Sequence, residues 1–159
     1  MAELTRRQCE QVLARAGLGR IGCFSPSRDE VYVVPVAFTF HPGALYLELV
    51  PGQKLDYLEE HPQGVCLEVE QVEAGQTWST VVVTGEFERV QPEGPPAAGR
   101  RGPLRTTFEI GLSPYSPESL VLCKLTIGKM SGRRDSWSWQ ADLPSIVRKR
   151  RAPSKPPAG

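Results

Sequence analysis

The sequence predicts a mainly β protein: an antiparallel barrel of six strands with short helices between them. Runs rich in valine and aromatic residues recur along the chain between turns that contain glycine and proline, which is typical of strands. Most of these runs follow one another through short connections, which favours antiparallel hairpins. A chain of 159 residues with 40% hydrophobic content is sufficient for one domain with a single core.

Two helices are predicted, one near the N-terminus and one in the middle of the chain. The first begins after Thr5, which can cap it, with Gln8 three residues on as in a capping box, and Gly17 ends it. The second is expected over residues 53–61, before a proline that cannot continue it. The residues of the two helices expected to face the core are Val12, Leu13, Ala16, Leu55 and Leu58.

The six strands are expected over residues 18–24, 31–40, 44–50, 65–72, 78–90 and 119–127. Gly85 lies inside the fifth strand, where an internal glycine often marks a bulge or a bend at a barrel corner. Residues 91–103 are rich in Pro, Gly and Ala and are expected to form a loop. Residues 104–117 remain unassigned, apart from a candidate short helix over 105–110.

The formal net charge of +1 hides an asymmetry between the two ends of the chain. Residues 1–127 carry 11 Lys and Arg against 16 Asp and Glu, or −5, whereas residues 128–159 carry 8 against 2, or +6. The body therefore has no basic footprint for nucleic acid. A basic, Pro-rich tail is expected to be disordered and solvated, and a nucleic-acid contact through residues 148–151 is the less favoured alternative.

The cysteines and the apolar runs point to a reducing cytoplasm. Cys9, Cys23, Cys66 and Cys123 are far apart and form no CxxC pair, so we expect neither disulfides nor a metal site. The N-terminus is too charged for a signal peptide. No apolar run approaches the roughly 20 residues of a membrane helix, so we expect a cytoplasmic protein without membrane contact.

The start of the second helix has the features of a phosphate site. Gly52 allows a close backbone turn, while Gln53 and Lys54 stand at the free N–H groups of the new helix. A helix start with a glycine and a lysine favours the binding of an anionic phosphate. Taken alone, however, a lysine at a helix start is more often a solvated surface residue than a phosphate ligand. His41 and His61, the two histidines, are interpreted as surface residues at a turn and at a helix end.

Three motifs in matching order give the chain a resemblance to a known family. They are Val-Pro-Val at 34–36, Gly-Gln-Lys at 52–54 with the following Leu-Glu-Glu-His-Pro, and Trp-Ser-Thr-Val-Val-Val-Thr-Gly at 78–85. Together they resemble the flavin mononucleotide (FMN)-binding split β-barrel proteins related to pyridoxamine 5′-phosphate oxidase, in particular the short nitroimidazole-resistance proteins. The resemblance implies a split-barrel domain over residues 1–133, followed by the tail at 134–159.

The same resemblance implies which residues hold FMN. The phosphate would lie against Gln53, Lys54 and Thr80, and the isoalloxazine ring would lie along the backbone of the second strand and the start of the third. Trp78 is expected to be a packing anchor near the cofactor. Ordinary barrel core is a compatible interpretation of Val34 and Val36. The residues implied at the ring are Val33, Val34, Pro35, Val36, Ala37, Leu47 and Glu48.

The resemblance also implies a function, with two alternatives. The first is an FMN-dependent oxidoreductase that passes electrons from a reduced nicotinamide or another donor to a small acceptor. The second is a flavin- or haem-binding protein without turnover. In both, the working unit is expected to be a homodimer with FMN between the subunits, covered by a segment such as residues 129–137, with positive charge from Arg133 and Arg134.

Two departures from the family limit what can be transferred. Nitroimidazole-resistance proteins carry a histidine where this chain has Glu48, so a mechanism that depends on that imidazole does not apply. The oxidase proper carries Arg and His in a longer C-terminal segment that grips pyridoxal phosphate, and no such motif follows Ser119. We therefore do not expect vitamin B6 oxidation.

Overall fold

The computed structural model describes residues 1–73, 77–91 and 120–136. All of the described strands pair antiparallel. The elements follow in the order β1 (Ala2–Glu3), α1 (Arg6–Ala16), β2 (Leu18–Ser25), β3 (Glu30–His41), β4 (Ala44–Leu49), α2 (Gln53–Glu60), β5 (Val65–Glu73), β6 (Thr77–Arg89) and β7 (Val121–Ser136).

Local chemistry sets both ends of α1, as predicted. Thr5 is the N-cap: its hydroxyl oxygen accepts from the Gln8 N–H at 3.4 Å, and its own N–H donates to the Gln8 side chain at 2.8 Å. This reciprocal pair is the predicted capping box. Gly17 ends the helix with φ 63°, a left-handed conformation that glycine adopts without steric cost.

The strands form one sheet that closes on itself. The strand order is β1-β7-β4-β3-β2-β5-β6, and an additional pairing joins β6 to β7. The β6–β7 pairing joins the two ends of the sheet, so the outer strands do not present free edges there. The predicted antiparallel barrel architecture is therefore confirmed.

Alternate residues of the strands fill the interior of this closed sheet. Ile21, Leu45, Leu67, Val81 and Leu125 are completely buried, and α1 and α2 add apolar side chains to the same core. Gly132 lets α1 approach β7 closely, because a Cβ atom there would lie 2.7 Å from Cys9 Sγ. The barrel is thus a packed core, and a ligand must bind at its outside or at an opening in its wall.

The last strand and the first strand differ from the prediction. The strand predicted over residues 119–127 continues to Ser136, and β1, a strand of two residues, was missed. The second half of β7 is polar and contains glycine, so its composition does not predict a strand. It is held by pairing with β6 past a register shift between Thr84 and Gly85, where the chain has no room for a Cβ atom. This irregularity is the predicted bulge at Gly85.

The extension of β7 also bears on the domain boundary. The strand passes residue 133, the predicted end of the domain, by three residues. The loop predicted over 91–103, the candidate helix at 105–110 and the tail beyond residue 136 lie outside the described residues. In the described part of the chain, neither helix is long and apolar enough to cross a membrane.

Candidate functional site

Strand β3 changes its pairing partner halfway along. Its residues 30–37 pair with β2, and its residues 38–41 pair with β4, ending at the Phe38–Leu47 pair. Beyond that pair, no ladder among the described residues joins β3 to β4. A strand carries hydrogen-bonding groups on both edges, so the β4-side groups of residues 33–37 have no ladder partner among the described strands. We call the region between residues 33–37 of β3 and residues 48–49 of β4, where the two strands no longer pair, the slot.

The residues predicted to contact a ring divide between the two faces of the sheet. Val36 and Leu47 are buried and Val34 packs against the core, so these three side chains point inward. The barrel-core interpretation of Val34 and Val36 is therefore confirmed, and their side chains do not face the outside of the barrel. Alternation along each strand places the other predicted side chains on the outside, which we call the outer face. They are Val33, Pro35, Ala37, Glu48, Trp78 and Thr80.

The outer face carries large apolar side chains that are exposed in the described part of the chain. Val33 is 59% exposed, Val31 68%, Leu18 47% and Val72 72%. Leu18 pairs with Ala37 across β2 and β3, so this apolar surface reaches the slot. Several exposed large apolar side chains on one face favour a binding or association surface. The slot therefore lies beside a surface on which another molecule could pack and form a second wall of a ligand site.

The start of α2 lies at the end of the slot and has an open N-terminus. Gly52 is the N-cap with φ 148°, and no side chain caps the free N–H groups. The Gln53 amide donates to the Tyr57 hydroxyl at 3.1 Å, which in turn donates to Glu30 at 2.7 Å. Lys54 is half-buried, and burial lowers the pKa of its ammonium. A desolvated cation beside uncapped N–H groups is a favourable place for an anion.

Glu48 is the polar side chain at the wall of the slot. It lies on β4 next to the last β3–β4 pair and pairs with Leu122 on its other side. Its Oε2 atom is buried and has no hydrogen-bond partner. Burial raises the pKa of its carboxyl. Buried polar atoms without partners are rare in proteins, and they commonly mark a place where a ligand or water binds.

Thr80 and Trp78 lie in a separate cavity rather than beside Lys54. The cavity has a volume of about 310 Å³ and is lined by β6, β7 and Met1. Thr80 pairs directly with Arg133, so the hydroxyl and the guanidinium share this cavity within one chain. No described hydrogen bond links Thr80 with Gln53 or Lys54. Gln53 and Lys54 share one helix start, and neither of them lines the cavity that holds Thr80.

Arg134, predicted together with Arg133 as a source of charge, is directed away from this cavity. Its guanidinium donates to Ser79 Oγ at 3.0 Å and pairs with Glu73 at 3.5 Å. Because Ser79 is fully buried and Thr80 faces outward, the two arginines lie on opposite faces of β7. Of the two, only Arg133 is available to a ligand on the outer face.

A second, smaller cavity was not predicted. It has a volume of about 160 Å³ and is lined by Leu18, Gly19, Arg20, Pro35 and Glu70. Arg20 pairs with Glu68 at 3.3 Å and with Glu70 at 3.7 Å. The alternation of residues along β5 predicts that Glu68 and Glu70 face outward. That Arg20 lies opposite them depends on the pairing of β2 with β5, which the sequence does not show. Arg20 thus lines a cavity that the sequence did not single out.

The histidines and cysteines do not build a reactive centre in the described residues. His41 stacks edge-on against Tyr46, and His61 against Phe24. All four cysteines are free thiols, and burial raises the pKa of the Cys123 thiol to about 12. In residues 1–73, 77–91 and 120–136, no group of three His, Cys, Asp or Glu side chains is placed to hold a metal ion.

Comparison with known proteins agrees with this architecture. A family model described as pyridoxamine 5′-phosphate oxidase matches residues 5–134. An uncharacterised protein of Rhizobium meliloti is 31% identical over 87 residues, which cover 55% of this chain and 56% of that protein. The chain thus matches little more than half the length of this relative.

Two solved structures show the same fold. A FAD-binding protein from Mesorhizobium loti has a TM-score of 0.70 at 25% identity, covering 85% of this chain and 98% of that one. A 5-nitroimidazole antibiotic resistance protein from Bacteroides thetaiotaomicron has a TM-score of 0.59 at 16% identity, covering 84% and 86%. The fold is a split β-barrel of the flavin-binding type. The chain belongs to the pyridoxamine 5′-phosphate oxidase family.

Proposed function

We propose that this chain binds FMN in the slot, between two copies of itself, and uses it to pass electrons from a reduced nicotinamide to a small acceptor. The observation that carries the proposal is the unpaired edge of β3 beside an exposed apolar face, with an uncapped helix start at its end. Membership of the family and the FAD-binding neighbour favour a flavin as the ligand.

The residues present fit the parts of FMN. Residues 33–37 offer backbone groups to the polar edge of the ring, and exposed Val33 and Pro35 offer apolar contact to its flat surface. Gln53, Lys54 and the free N–H groups of α2 suit the phosphate. Thr80 and Arg133 would reach the same ligand only from the neighbouring copy, which is one reason to propose a dimer. When bound, the flavin supplies hydride and electron transfer, which the described side chains do not.

The exposed apolar residues favour a homodimer. Leu18, Val31, Val33 and Val72 all lie on the outer face, and a second copy related by a two-fold axis would bury them. A split barrel filled by its own side chains cannot enclose a three-ring ligand. A cleft between two copies supplies the second wall that small-molecule sites usually have.

A flavin- or haem-binding protein without turnover is the second candidate. Haem iron is usually held by a His, Cys, Met or Tyr side chain. The two histidines lie in a hairpin turn and at the end of α2, where each stacks on an aromatic ring. This placement favours flavin over haem at the slot.

The test begins with the small molecule that co-purifies with the protein. Mass spectrometry should identify FMN, and the absorption spectrum should show oxidised flavin that bleaches when NADH or NADPH is added under anaerobic conditions. A Soret band would replace the proposal with haem binding. Bound flavin that neither nicotinamide reduces, but dithionite does, would leave the binding function and remove the proposed electron donor.

A further inference from the structure

Glu48 carries a feature that the proposed function does not explain. Its Oε2 atom is buried on the outer face of β4 and has no partner. Burying a polar atom without a hydrogen bond costs free energy, and a smaller apolar residue would avoid that cost. A glutamate in this place is understandable if a ligand supplies the missing partner.

We propose that the Glu48 carboxyl pairs with the imide edge of the ring bound in the slot, that is, with an adjacent ring N–H and carbonyl. The inference rests on the proposed function, since it concerns the ligand of the same slot. Glu48 follows Leu47, the last residue of β4 that pairs with β3, so it lies at the point where the two strands separate and the slot begins. It is proposed as a residue that recognises and orients the ring.

The chemistry of the pairing requires a protonated carboxyl. A neutral carboxylic acid has one O–H donor and one carbonyl acceptor, so it can donate to the ring carbonyl and accept from the ring N–H at once. An ionised carboxylate can only accept, and it would repel the carbonyl oxygen. Burial supports the neutral form, because it raises the pKa of this carboxyl.

The charged groups around Glu48 do not oppose this protonation. On the same face, β3 offers Ala37 and Thr39, which do not titrate. On β7 the nearest basic group is Lys124, whose ammonium binds Glu88 at 3.1 Å, and on β4 itself the next titratable side chain is Tyr46. On α2, the pKa of Lys54 responds to burial and to Cys23. The pKa of Glu48 is shifted by burial alone.

The experiment combines two residue variants with one altered ligand. Apoprotein is titrated with FMN and with 3-methyl-FMN, which lacks the ring N–H, and dissociation constants are read from flavin fluorescence over a series of pH values from acid to mildly alkaline. Glu48→Gln keeps a donor and an acceptor without titrating, and Glu48→Leu keeps the size without either. Glu10→Gln, a glutamate on α1 paired with Arg6, is the matched control.

The expected result is a set of linked changes. Glu48→Leu should weaken FMN binding about tenfold at the acid end of the series, where the carboxyl is protonated, since two neutral hydrogen bonds are lost. Methylation of the ring nitrogen should cost about tenfold in the wild type and almost nothing in Glu48→Leu. Wild-type affinity should fall as the pH rises through the pKa of Glu48, while Glu48→Gln stays within about threefold of the wild type and lacks that part of the fall.

Other outcomes separate this inference from the proposed function. If FMN binds tightly but methylation costs the same in the wild type and in Glu48→Leu, the pairing is wrong and flavin binding stands. If the wild type binds no FMN at all, the proposed function and the pairing both fail. Circular dichroism of the variants shows whether a loss of affinity comes from misfolding, and a folded Glu48→Leu that binds like the wild type also overturns the pairing.

Discussion

Replacing Lys54 with alanine is expected to weaken FMN binding by about one to two orders of magnitude. A hydrogen bond to a charged group contributes roughly 1.5–3 kcal/mol, and each 1.4 kcal/mol is a factor of about ten. Lys54 is half-buried, so water screens its charge less than that of a surface lysine. The assay is titration of apoprotein with FMN, followed by flavin fluorescence.

The same lysine should have the opposite effect on the stability of the apoprotein. Burial lowers the pKa of its ammonium, which means that the fold disfavours the charged form. Lys54→Met removes the charge while keeping most of the apolar stem. We therefore expect Lys54→Met to raise the melting temperature of the apoprotein while it weakens FMN binding as Lys54→Ala does.

The control for a general loss of positive charge is Arg15→Ala, which removes an exposed arginine in the last turn of α1. It should leave FMN affinity within about twofold. Unchanged FMN affinity in both Lys54 variants would refute the phosphate site at α2. A lower melting temperature for the Lys54→Met apoprotein would instead show that the buried ammonium stabilises the fold.

Three further predictions concern the rest of the site. Thr80→Val should weaken FMN binding less than Lys54→Ala does, because a neutral hydroxyl contributes about 1 kcal/mol; a larger effect in the same titration would mean that the two roles are wrongly assigned. Burial raises the folded-state pKa of Glu48, so its stabilising contribution is complete below the ordinary carboxyl pKa of about 4.3 and is lost as the pH rises through the raised value. Glu48→Gln should therefore become progressively more stable than the wild type as the pH rises, and a gap in melting temperature that does not change with pH would contradict this. Because FMN would contact both copies, it should strengthen dimerisation by the same free energy by which dimerisation strengthens FMN binding. Sedimentation of apo and holo protein over a dilution series measures this coupling, and Val33→Asp should abolish the dimer; a monomer with full flavin content would exclude a shared site.

The parts of the fold that depend on neighbouring residues were predictable. Thr5, Gln8 and Gly17 bound α1 through hydrogen bonds and backbone angles that involve only a few consecutive residues. The hairpin at residues 41–43 follows from the same kind of local chemistry, with Gly43 at φ 85°. Such features need no knowledge of the rest of the chain.

The parts that depend on distant pairing were predicted incompletely. The second half of β7 is a strand because β6 lies beside it, and β1 is a strand because it meets Arg133 and Arg134 of β7. Neither segment has the composition of a strand, so the hydrogen bonds that define them are visible only once the barrel is closed. The ion pairs of Arg20 with Glu68 and Glu70 on β5 likewise depend on which strands lie side by side.

The sequence by itself determined the mainly β architecture, the bulge at Gly85, the two helices and, through its motifs, the family. Alternation and capping are local, and motif order survives without coordinates. The tertiary structure alone decided that β3 leaves β4 after Phe38, that the Glu48 carboxyl is buried without a partner, and that Thr80 lies with Arg133 rather than with Lys54. Each of these depends on which strands meet and in which register, and register is set by the packing of the whole barrel.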